Sequence, residues 1–145
     1  MEVFLANEQE LPIDEERLCD LARHTLEMEE ADDDSELSIL VVEPGHIRRL
    51  NKRFAGDNHS TDVLAFPMDD DEDGGYLVGD VVICPRVAHA NAARTGRSPA
   101  RELETVLVHG TLHLLGYDHQ GRDDRHDMEQ RLSEVLESFR ARHVS

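Results

Sequence analysis

The 145-residue chain is predicted to fold as an α+β domain, a small mixed sheet of about four strands packed with three to four helices. Three observations predict it. Short apolar runs rich in β-branched residues recur and are closed by proline, as strands are. Stretches with apolar residues at helical spacing alternate with them. The length suits one hydrophobic core, so residues 1–145 are read as a single domain.

In chain order, Glu2 to Leu5 reads as a short strand, and Ile13 to Glu29 carries Leu18, Leu21, Ala22 and Leu26 on one helical face. Leu37 to Val42 is a β-branched run stopped by Pro44-Gly45, after which Ile47, Leu50 and Phe54 fall at helical spacing. Asp62 to Phe66, closed by Pro67, and Tyr76 to Ile83, closed by Pro85, read as two strands of a hairpin-like pair. Ser98-Pro99 supplies an N-cap and a first-turn proline for a helix that runs to Leu115 and stops at Gly116. Arg122 to Arg142 is a final amphipathic helix with Met128, Leu132, Val135, Leu136 and Phe139 on its apolar side.

Charge is the unusual property of the composition. Fifteen basic and 32 acidic residues leave a net charge of -17, and Lys52 is the lone lysine beside 14 arginines. Either adaptation to high salt, which keeps an acidic surface hydrated while screening its repulsion, or an arginine bias of the genome accounts for this pattern. The clusters Asp32 to Asp34 and Asp69 to Asp73 read as solvated loops. Two segments run the other way: Arg48, Arg49, Lys52 and Arg53, and the acid-free Pro85 to Arg101 with Arg86, Arg94, Arg97 and Arg101. They form one electropositive patch if the fold brings them together; otherwise they are scattered arginines that pair with carboxylates. Cys19 and Cys84 are too few for a disulfide framework and read as thiols of a reducing compartment. With no basic leader and no bilayer-length apolar run, a cytoplasmic protein without a membrane partner is expected.

One segment carries chemistry: His109-Gly-Thr-Leu-His113-Leu-Leu-Gly116-Tyr-Asp118-His119. His109 and His113 stack on one face of the predicted helix, and Gly116 permits a sharp turn that returns His119 to that face. Three imidazoles with an open position are the ligand set of a catalytic zinc ion, and nickel or another late first-row ion also suits them. The bland alternative is a set of core histidines, but the helix around them is almost wholly apolar. Each imidazole left unpaired there would cost about 1 to 3 kcal/mol. The spacing HxxxHxxGxxH is also that of the metzincin proteases, so the helix is read as a metzincin-like metal helix. Gly110 stands where those enzymes carry the glutamate that activates water, which disfavours a protease.

The segment HGTLHLLGYDH resembles the HGxLHLxGYDH signature of the YbeY family of single-strand-specific metallo-endoribonucleases. Asn51 with Thr61-Asp62-Val-Leu-Ala65-Phe-Pro67, and Gly79-Asp80-Val-Val-Ile83, resemble two further blocks of that family in the same order. The resemblance implies an α+β fold, zinc on His109, His113 and His119, and hydrolysis of single-stranded RNA. It also implies a role in maturation of the 16S rRNA 3′ end and in ribosome quality control, with the small ribosomal subunit as partner and no role for DNA. Ala55 stands where many members carry an arginine, and Arg53 is the candidate to replace it; Ala65 stands where Ser or Thr is common.

Arg53 and Asp118 complete the candidate catalytic set, with Arg86 and Arg97 as further cations for a phosphorane-like transition state. Asp118 either orients an imidazole or closes the turn. Thr61 and Asp62 either shape the cleft or cap the strand after them. Phe54 and Tyr117 are the available stacking platforms, each with a core role as its alternative. His24, His46, His59, His89 and His143 are expected to be solvated, as is His126 unless its place shortly after the motif, at the start of the last helix, makes it the exception. A non-catalytic ribosome-assembly factor with a structural metal is the competing reading, kept open by Ala55.

Overall fold

The computed structural model describes residues 1–68, 77–117 and 122–142, with the side chains of 122–124 excepted. The acidic run Asp69 to Asp73, Tyr76, Asp118, His119 and His143 lie outside the described residues. The elements are β1 (Glu2–Glu8), α1 (Glu15–Met28), β2 (Glu36–Val42), α2 (Pro44–Ala55), β3 (Val63–Pro67), β4 (Leu77–Ile83), α3 (Pro85–Thr95), α4 (Pro99–Leu114) and α5 (Arg122–Arg142). The sheet order is β1-β2-β4-β3. β1, β2 and β4 run parallel and β3 pairs antiparallel with β4, so the expected pairing of β3 and β4 is present, with β3 at one edge.

Alternation along the strands divides the core in two. Leu37, Ile39 and Val41 of β2 and Val81 and Ile83 of β4 point to one face and are buried with residues of α1, α4 and α5. Leu40, Val42, Val82, Leu64 and Phe66 point to the other, where they meet Ile47 and Leu50 of α2. Register keeps like with like, since Ile39 lies opposite Val81 and Val41 opposite Ile83. A one-residue slip would exchange the two faces.

The helix starts follow local rules. The Asp14 side chain accepts a hydrogen bond from the Arg17 amide at 3.1 Å, and Glu15 and Glu16 sit in the first turn of α1 where the helix dipole favours negative charge. Ser98 caps α4 and Pro99 occupies its first turn, as expected. Among the described residues there are five helices, one more than expected. The addition is α3, which buries only Pro85, Ala88 and Ala92. An apolar stripe made of alanine is nearly silent as a periodic signal, yet small residues let the helix pack closely on α4.

Three helices are tied by one buried carboxylate. Glu104 of α4, 5% exposed, accepts from Arg17 of α1 at 2.7 Å and from Arg140 of α5 at 3.2 Å. The Arg17 guanidinium also lies 5.0 Å from the centre of the Phe139 ring. His24 is a correction to the expected solvation: it is 6% exposed, its Nε2 is 3.1 Å from Ser138 Oγ, and its ring stands 5.7 Å from that of Phe139. Polar sequence neighbours point to other sides of α1, and the cover comes from α5, 114 residues away. His59 and His126 are exposed, and His46 and His89 are partly so. Cys19 and Cys84 are both free thiols, and burial pushes their pKa values up. No helix among the described residues is long and apolar enough to cross a membrane.

The position of α4 is set by Gly110. A Cβ there would lie 2.8 Å from Val63 Cγ2 and 2.9 Å from Val81 Cγ1, so the helix backbone rests on the side chains of β3 and β4. Gly110→Ala should destabilise the protein by about 1 to 2 kcal/mol, because overpacking outweighs the gain of about 1 kcal/mol in helix propensity. Urea unfolding checks this in a double-mutant cycle, in which the substitution is expected to be less harmful beside Val63→Ala than alone.

Candidate active site

α4 carries His109 and His113 one turn apart, and both line a cavity of about 220 Å³. Gly110 and residues Val63, Leu64 and Ala65 of the edge strand β3 form the rest of its lining. The absent Cβ at Gly110 therefore does two things: it seats the helix on the sheet and draws both imidazoles down beside β3. Two neutral-imidazole donors in an apolar-walled cavity fit the coordination chemistry of a zinc-like ion. Among the described residues no cluster of three His, Cys, Asp or Glu side chains forms a metal site. The expected third ligand, His119, and Asp118 lie outside those residues.

The chain does turn where expected. The Gly116 amide donates to His113 O at 3.1 Å and the Tyr117 amide to Leu112 O at 3.1 Å, with Gly116 at φ 104°. This is the pair of bonds of a Schellman stop, and the positive φ favours glycine. Tyr117 then anchors the exit: its hydroxyl donates to Glu29 Oε2 at 2.9 Å, and Glu29 also pairs with Arg131, which donates to Met28 O at 2.7 Å. Partial burial and the Glu29 bond raise the Tyr117 pKa. The turn after the histidine helix is thus fastened to α1 and α5, and Tyr117 serves as a structural anchor in the way its core alternative anticipated.

Asp62 precedes β3 and lies near enough to His109 to feel its charge. Its carboxylate accepts from Asn91 Nδ2 of α3 at 3.3 Å, and its carbonyl accepts from the Cys84 amide at 2.9 Å. Burial pushes the Asp62 pKa up, against the opposing pull of its own backbone amide and of nearby His109. Sequence reasoning left this residue between two roles because its nearness to His109 depends on how α4 crosses β3.

The candidate cations are placed elsewhere. None of Arg53, Arg86 and Arg97 lines the histidine cavity. Arg86 pairs with Glu43 at 3.0 Å and Arg97 with Glu102 at 3.3 Å. Arg53 is on α2, its guanidinium carbon 5.2 Å from the centre of the Phe54 ring. Arg48 bonds the neutral Asn58 at 3.0 Å. Among the described residues no carboxylate pairs with the four basic side chains of α2, so positive charge is concentrated on that helix. A larger cavity of about 830 Å³ lies between the starts of α1 and α4, away from the histidine pair, so size does not select the site.

Fold and site together define a small α+β protein whose histidine-bearing helix is laid against the edge strand of a mixed sheet. The solution structure of TM1509 from Thermotoga maritima shares this fold, with a TM-score of 0.61 and 24% sequence identity over 97% of this chain and 93% of that one. The chain belongs to the YbeY family, whose model, described as Endoribonuclease YbeY, matches residues 4–140. Relatives named Endoribonuclease YbeY include one from Acidothermus cellulolyticus, 42% identical over 152 residues that span 97% of this chain and 93% of its own. Another, from Thermobifida fusca, is 40% identical and spans 97% of this chain and 95% of its own.

The raised pKa of Asp62 has a definite sign. Its contribution to stability is full below the ordinary carboxylate value of about 3.9 and is lost as pH rises through the raised folded value. Asp62→Asn should therefore gain stability relative to the native chain as pH rises through that window and hold the gain above it. Urea midpoints in the presence of a chelator, taken from pH 3.5 to 8 or so, check this.

Proposed function

We propose that this chain is a zinc-dependent, single-strand-specific endoribonuclease of the cytoplasm, acting in maturation of the 16S rRNA 3′ end and in ribosome quality control at the small subunit. The supporting observation is the pair of imidazoles, His109 and His113, sharing one cavity with edge strand β3 in a member of an endoribonuclease family. His119, just past the Gly116 turn, is the third ligand in this reading. Nickel or another late first-row ion is the alternative occupant.

A bound ion would supply Lewis acidity and a water of lowered pKa. The protein's own contributions are separable from that. Val63, Leu64 and Ala65 keep one side of the cavity apolar, which strengthens every charge interaction inside it. Asp62, held by Asn91 within electrostatic reach of His109, is a carboxylate of the kind that orients a ligating imidazole in this reading. Imidazole ligands add no negative charge of their own to a site that is to accept a phosphodiester. Arg53, over the Phe54 ring, acts in this reading on the RNA strand and not inside the cavity.

A second reading rests on Ala55, which is exposed at the last residue of α2 and has no guanidinium to offer. In that reading the protein is a ribosome-assembly factor whose metal is structural.

Cleavage of an end-labelled single-stranded RNA by metal-loaded protein, over a range of KCl concentrations, tests the choice. His113→Ala is expected to lose activity by more than the roughly 10- to 100-fold that altering an outer-sphere partner costs, together with bound metal. Equal behaviour of native and variant chains, with metal confirmed on the native one, would favour the assembly factor.

A further inference from the structure

We propose that Phe54, with Arg53 beside it, is a base-stacking subsite that takes one unpaired nucleobase of the RNA strand on the α2 side of β3. The inference rests on the endoribonuclease reading and adds to it a residue that holds substrate.

Phe54 is 59% exposed in a chain with only four phenylalanines and two tyrosines. It is not idle surface. Its ring packs against Phe66 with centroids 5.3 Å apart and planes tilted by 68°, a contact that fixes its orientation while leaving most of the ring to solvent. A rigid exposed aromatic with a guanidinium at 5.2 Å is the pairing that single-strand binders use, because every base has a π-face and every linkage a phosphate. The other platform considered, Tyr117, is committed to Glu29 and the core.

Charge identifies the occupant. Arg48, Arg49, Lys52 and Arg53 lie within twelve residues that contain no acid, on a protein of net charge -17. Elsewhere Arg17, Arg86, Arg97, Arg131 and Arg140 are matched to carboxylates. A helix whose four cations meet no carboxylate among the described residues, on so acidic a molecule, suits a polyanion. Next to Phe54 a groove of about 450 Å³ runs along Leu40, Leu50 and Phe66, with Ser38 and Asp80 also in its lining. Asp80 repels phosphate there, so the strand lies with its phosphates toward the basic residues of α2 and its base toward the ring.

β3 connects this subsite to the histidines. Leu64 and Ala65 line the histidine cavity, and the next residue, Phe66, holds Phe54. Ala65 and Phe66 point to opposite faces of the sheet, so an RNA strand that reaches from Phe54 to the histidines passes around the edge of β3. Since β3 is an edge, no further strand separates the two.

The test is binding of a short single-stranded RNA carrying one 2-aminopurine, followed by anisotropy and by quenching of the base's fluorescence. The native chain should quench it. Phe54→Ala should bind roughly 5- to 100-fold more weakly and fail to quench, Phe54→Trp should bind and quench as the native chain does, and Phe54→Leu, which preserves apolar packing on Phe66, should behave like the alanine variant. Equal quenching by native and leucine variants would overturn the proposal. So would unchanged RNA affinity with lost binding to the small ribosomal subunit, which would make Phe54 a protein contact. Failure of the native chain to bind or cut any RNA would instead defeat the endoribonuclease reading itself.

Discussion

The close seating of α4 on the sheet is the constraint on which the rest of the structure depends. With hydrogen in place of a methyl group at Gly110, the helix backbone comes down onto Val63 and Val81. From that position its apolar side enters the core shared with α1 and α5, and Glu104 is brought between Arg17 and Arg140. Burial of a carboxylate is unfavourable unless it is paired, and two guanidiniums from two other helices meet that need while fixing how all three lie. The same seating places both imidazoles against an edge strand.

An edge strand is ordinarily exposed to unwanted pairing. Here β3 is short, ends at Pro67, and is flanked by the histidine helix on one face and by α2 on the other. That arrangement leaves a single edge strand as one wall of the histidine cavity. Successive residues of β3 serve opposite sides: Ala65 belongs with the α4 core and Phe66 with the α2 cluster, so one strand of five residues carries the wall of one site and the support of another.

Electrostatics divides the surface of this acidic chain. The arginines that stitch helices together, such as Arg131 across Glu29 and Glu134, are paired with carboxylates and serve the fold. The basic residues of α2 have a different setting, with neutral Asn58 or an aromatic ring as their described neighbours. The two basic segments noted in the sequence differ in part: Arg86 and Arg97 of the second pair with carboxylates while Arg94 bonds neutral Asn91, and among the described residues none of the four cations of α2 meets a carboxylate.

The sequence by itself determined what depends on near neighbours. The strand runs, the caps at Asp14 and Ser98, the spacing of His109 and His113 on one helix face and the stop at Gly116 follow from hydrogen bonds and periodicities spanning five residues or fewer, and the motif around the histidines was enough to place the family. Tertiary structure alone decided what depends on segments far apart in the chain. It buried His24 under α5, seated an alanine-striped α3 whose pattern was too weak to read, and brought Asp62 within electrostatic reach of His109. It also turned Phe54 outward while tying Tyr117 to Glu29. Local energetics specify which face of an element is apolar, whereas the partner that covers that face is chosen by the packing of the whole chain.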